Sequence, residues 1–105
     1  MWYLMKERII DSRFRIRRAL DQAFGVYEHE EAKKGDSWRE IPLWNLIKHA
    51  EHELEEIRSS PKERQHHNCL DLINLGAIMA SKLELEEEKK FLTPLGRVNN
   101  ENNYK

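Results

Sequence analysis

Apolar residues recur every third or fourth position through most of this chain, which is the spacing of a helix with one buried side. Trp2, Met5, Ile9, Ile16, Leu20, Ala23 and Tyr27 fall on one stripe, widened by Phe24 and interrupted at Ser12 and Arg13. Residues 2–32 hold no proline and one glycine, Gly25, a weak point in an otherwise continuous pattern. The spacing predicts a long first helix ending near Lys34-Gly35, where glycine is the natural terminator. A connecting loop over 35–41 follows, with one turn opened by Ser37 and Glu40. Pro42 suits the first position of a second helix over about 42–58, whose stripe is Leu43, Leu46, Ile47, Ala50, Leu54 and Ile57. Ser59-Ser60-Pro61 breaks that helix and caps a third, expected over about 61–91.

The third helix is unusual. From Cys69 to Ala80 it is apolar nearly all round, with only Asp71 and Asn74 polar. Such a helix is expected to be the buried one, and Cys69 to be a small buried apolar residue. Residues 83–90 form a charged, solvated end. Thr93-Pro94-Leu95-Gly96 and the Asn-rich stretch beyond it read as poorly ordered. The pattern therefore predicts an all-α fold: a bundle of three main helices in residues 1–92 with a tail over 93–105. A helix apolar on every side in so small a bundle calls for a second copy to cover part of it, so a homo-oligomer, dimer or tetramer, is expected.

Composition narrows the picture little. One domain of 105 residues, 35% charged and 39% hydrophobic, suits helices with solvent-facing sides. A net charge of −1 gives no global field for nucleic acid or an anionic membrane, although residues 1–27 carry six Lys/Arg against three acids. A single cysteine excludes an internal disulfide. No apolar run approaches the roughly 20 residues of a membrane span, and no signal-peptide core is present. A cytoplasmic protein without membrane or nucleic-acid partners is the expectation.

Candidate chemistry lies in two polar pairs. Glu53 and Glu56 are three apart on the second helix and share a side. At 100° per residue, Glu53 lies about 70° from the centre of the apolar stripe and Glu56 about 130°. Asp71 and Asn74 are likewise three apart on the third helix. If those sides meet, two Glu, one Asp and an amide oxygen surround one space, a hard-oxygen set suited to Mg²⁺ or Mn²⁺. Carboxylates crowded without a cation have raised pKa values. The competing reading is a solvated Glu-rich face, with Asp71 capping a neighbouring helix or pairing with Arg39 or an arginine of the first helix.

The order of these features resembles the MazG-like all-α nucleotide pyrophosphohydrolases. The likeness covers roughly residues 20–83: the long first helix, Lys34-Gly35-Asp36-Ser37-Trp38, Glu53-x-x-Glu56-Ile57, and Asp71-x-x-Asn74. In that family a Glu-x-x-Glu pair and a later Glu-x-x-Asp pair hold Mg²⁺. The resemblance implies Glu53, Glu56 and Asp71 as metal ligands, with Asn68 standing where the family has Glu. An amide there keeps a carbonyl oxygen but removes a charge, weakening the metal site. The implied reaction is hydrolysis of a nucleoside triphosphate to monophosphate and pyrophosphate, with Glu53 or Glu56 orienting the attacking water.

Other residues fit that reading or a plainer one. Lys34 and Arg39 flank the loop within reach of phosphates, Trp38 offers a stacking surface for a base, and Asn74 a substrate contact. Equally, Trp38 packs the loop on the core, and Lys33 and Lys34 complement a helix C-terminus. His49-x-x-His52 has zinc-compatible spacing but no convincing further ligand. Arg13, Arg15, Arg17 and Arg18 could meet nucleic acid or a neighbouring subunit's triphosphate, but spread around the helix among acids as ion-paired surface residues do. The alternative to an enzyme is a non-catalytic helical interaction module, a degenerate relative binding protein or nucleic acid.

Overall fold

The computed structural model describes residues 2–96, with side chains through Lys90. Among these residues there are three α-helices, one short 3₁₀ turn and no strand: α1 (Trp2–Lys34), η1 (Ser37–Glu40), α2 (Leu43–Ser59) and α3 (Lys62–Gly96). The all-α class expected from the periodicity is what the chain adopts.

Each boundary has a local cause. Gly35 closes α1 at φ 64°, a left-handed conformation that costs glycine no Cβ clash, and its N–H donates to the Glu31 carbonyl at 2.7 Å. Lys33 and Lys34 in the last turn complement the carbonyl end. Pro42 sits one position outside α2 rather than at its first residue: its ψ of 148° is extended, and its carbonyl accepts from the N–H groups of Asn45 and Leu46. Pro61 forces Ser60 into extended backbone (ψ 155°), which ends α2. It likewise precedes α3 instead of opening it. α3 runs beyond its expected end near 91, through Thr93 and Pro94 to Gly96. The rest of the tail lies outside the described residues.

Helices α2 and α3 form an antiparallel hairpin across the Ser60-Pro61 link. Gln65 Nε2 donates to the Ile57 carbonyl at 2.8 Å, and Asn68 Nδ2 to Ser60 Oγ at 3.1 Å, tying the hairpin at its closed end. Leu46 of α2, Leu70 of α3 and Ala23 of α1 are the buried apolar residues. α1 crosses α3 at Ala23, whose carbonyl accepts from Asn74 Nδ2 at 2.8 Å.

Burial departs from expectation along α3. Leu70 is buried, but residues 71–75 are half-buried, and Cys69, Gly76, Ala77 and Ala80 are exposed. α1 and α2 cover two sides of α3, and these four residues lie on the third. Cys69 is therefore not the buried apolar residue its neighbours suggested. The N-terminal half of α1 is bare as well: Met5 and Ile16 are 60% and 63% exposed, although the same stripe buries Ala23 further along. The shape reflects this. The radius of gyration is 19.1 Å, against about 13 Å for a compact domain of this length. No helix among the described residues is long and apolar enough to cross a membrane.

Candidate active site

An open cleft of about 830 Å³ lies where the C-terminal half of α1, the η1 loop, α2 and α3 come together. Each helix contributes carboxylate and histidine side chains to its lining: Glu30, Glu31 and His29 from α1, Glu53 and His49 from α2, and Asp71, His66 and His67 from α3. The arrangement follows from the packing. Leu46 and Leu70 are buried in the α2–α3 interface, and Glu53 and Asp71 stand one to two turns and one residue beyond them on the same walls.

Glu53 is the central group. It is half-buried, and its Oε1 is covered by protein yet has no hydrogen-bond partner. Burial raises its pKa above the ordinary carboxylate value, and the charges of Asp71 and Glu56 raise it further. Nearby His52 and His67 pull in the opposite direction. Asp71 is also raised, first by burial and then by Glu30 and Glu56, with His67 opposing. The His67 ring nitrogen Nε2 stands 3.5 Å from Asp71 Oδ2, and His52 Nε2 3.2 Å from Glu56 Oε2. Glu53, Glu56 and Asp71 are thus close enough for their charges to act on one another between α2 and α3.

Glu30 completes the group and was not anticipated. Its signal was present: at 100° per residue it falls about 20° from Ala23, a polar side chain on the edge of the buried stripe. Asp71 showed the same anomaly more loudly because its neighbours are all apolar.

The other candidates divide. Lys34 lines the cleft and pairs with Glu30 at 3.5 Å. Trp38 lines it too, half-buried, with its indole N–H donating to the Tyr27 hydroxyl at 3.0 Å, so it does pack the loop on α1. Arg39 lies with its guanidinium 5.7 Å from the centre of the Trp38 ring and 3.3 Å from Asp36, exposed, while its carbonyl accepts from Lys82 Nζ at 2.6 Å. It does not pair with Asp71 as one reading allowed. Asn74 borders the cleft, but its amide nitrogen is committed to the Ala23 carbonyl, so its part is to hold α1 in register. Asn68 is buried and its amide nitrogen is committed to Ser60, at the hairpin's closed end.

Among the described residues, no group of three or more His, Cys, Asp or Glu side chains is placed to hold a metal ion. The zinc spacing of His49 and His52 has no third ligand in such a group. Comparison with family models, with characterised proteins and with solved structures finds no match to this chain.

Proposed function

We propose that the chain is a Mg²⁺-dependent nucleoside triphosphate pyrophosphohydrolase of MazG-like type, with Mn²⁺ as a substitute ion, working as a self-associated assembly. The observation that carries this reading is Glu53 Oε1: a covered carboxylate oxygen without a partner, ringed by Asp71 and Glu56, on the wall of an open cleft. A buried acceptor left unpaired is costly, and crowded carboxylates are costlier, so the cluster is accounted for if a cation and a water enter it.

The donors fit a hard divalent ion. Glu53, Glu56, Asp71 and Glu30 offer only carboxylate oxygens, the donor type such an ion takes. A divalent ion held by these carboxylates would neutralise triphosphate oxygens and lower the pKa of water. The chain's own residues supply the rest. Glu53 or Glu56 orients the water or takes its proton as the water oxygen bonds to the α-phosphorus. The bond from that phosphorus to the bridging oxygen breaks, and pyrophosphate leaves. Lys34 turns from Glu30 to the β- and γ-phosphates, and Trp38 stacks on the base.

A second reading, a non-catalytic interaction module, is favoured by Asn68, whose amide serves the hairpin instead of a metal site. One experiment separates the two: pyrophosphate release from a panel of NTPs and dNTPs with Mg²⁺ or Mn²⁺, with Asp71→Ala as control. Turnover by the native chain that the control loses supports the enzyme. Silence across the panel from a folded protein supports the module.

A further inference from the structure

The bare half of α1 and the bare side of α3 are complementary. Met5, Ile9, Ile16 and Leu20 line an open groove along α1, and the charged residues at its margins are Arg8, Arg13 and Arg17. Glu7, Asp11 and Asp21 lie on the far side of the helix. The groove continues the stripe that packs Ala23 against α3 within the chain, so helix packing is already its established use.

On α3, Gly76, Ala77, Ala80 and Leu83 are exposed on one side, and Glu84 and Glu87 share it within about 120°. A Cβ built on Gly76 would meet nothing within 4 Å. Glycine in the middle of a helix weakens it relative to alanine, and nothing inside the chain requires one at this position. A helix approaching from outside would make use of one, since small residues let backbones come close.

We infer that a second copy of this chain docks here, laying the 76–87 side of its α3 along the α1 groove. The charges choose this pairing. Two α1 grooves brought together would set arginine against arginine, whereas Glu84 and Glu87 meet arginines. Each copy carries one groove and one α3 side, so a two-fold exchange satisfies both and closes the assembly as a dimer. The inference deepens the self-association proposed above and rests on that part alone. Mass is read without nucleotide, so the catalytic reading and this one fail separately.

The test is the mass of the full chain by sedimentation equilibrium between 1 and 100 μM. The expected result is a dimer of the 12.6 kDa chain. Gly76→Leu, and separately Arg13→Glu with Arg17→Glu, weaken it by at least about tenfold while the helical circular dichroism is kept. Mixing the Arg13→Glu/Arg17→Glu chain with a Glu84→Arg/Glu87→Arg chain restores a heterodimer. A monomer at every concentration overturns the inference, as does a dimer indifferent to all these substitutions. Binding of the native chain as a monomer to phosphatidylserine vesicles overturns it too, since the groove then serves a lipid surface.

Discussion

Replacing Glu53 by glutamine is the perturbation that most cleanly separates a carboxylate cluster held for a cation from an ordinary acidic surface. The substitution keeps shape and removes one charge. In the metal-free protein at pH 8, that relieves repulsion with Asp71 and Glu56. Each such like-charge pair at a partly exposed site is worth roughly 0.2–1 kcal/mol, so the two together give about 1 kcal/mol of stabilisation. For a domain of this size that is a rise of about 4–8 °C in Tm. The pH dependence fixes the sign independently. The folded pKa values of Glu53 and Asp71 are raised, so between the unfolded and folded values the native state binds more protons than the unfolded state. Stability therefore falls as pH climbs from the ordinary carboxylate range through the raised values, and recovers on acidification. Glu53→Gln flattens that slope. Adding Mg²⁺ then inverts the order: at roughly 100 times its Kd, a bound ion stabilises the native chain by about 2.7 kcal/mol and the variant by much less. Thermal melts at pH 5, 6.5 and 8, with EDTA and with Mg²⁺, read all of this. A variant less stable than the native chain under EDTA, with the same pH slope, would refute the reasoning.

Three further substitutions probe the scaffold that builds the cleft. Asn74→Leu removes the bond to the Ala23 carbonyl. It should cost about 1 kcal/mol in denaturant melts and increase protease sensitivity near residue 20, because α1 loses its anchor. Trp38→Phe deletes the indole donor to Tyr27, for a loss of about 0.5–1.5 kcal/mol, and should raise KM for nucleotide more than it lowers kcat. Gly35→Ala, at φ 64°, should destabilise by about 1 kcal/mol in the same melts, with no crowding to relieve because a Cβ there meets nothing within 4 Å.

The helices were legible because their causes are local. Gly35, Pro42 and Pro61 act on the backbone within a residue or two, and the 3–4 spacing of Leu43, Leu46, Ala50 and Ile57 needs no knowledge of the partner. The proline positions slipped by one because an extended residue just outside a helix and a first helical residue suit proline almost equally. Burial was less legible. Hydrophobicity shows that a side of a helix can pack, not whether another helix of the chain covers it, and Cys69 was misplaced because its side of α3 is left exposed. The site fell between the two. Glu53, Glu56 and Asp71 stood out as acids near apolar stripes; Glu30 carried the same signal more faintly, at the edge of the α1 stripe beside Ala23. The commitments of Asn68 to Ser60 and of Asn74 to Ala23 depend on packing over distance, which spacing along one helix does not encode.

The most direct test of the central claim is hydrolysis of a nucleoside triphosphate in H₂¹⁸O with Mg²⁺, followed by mass analysis of both products. Attack at the α-phosphorus predicts one ¹⁸O in the nucleoside monophosphate and none in the pyrophosphate, with turnover lost in Glu53→Gln and Asp71→Asn. Label in the pyrophosphate, or no turnover from a folded native chain with either Mg²⁺ or Mn²⁺, would contradict it.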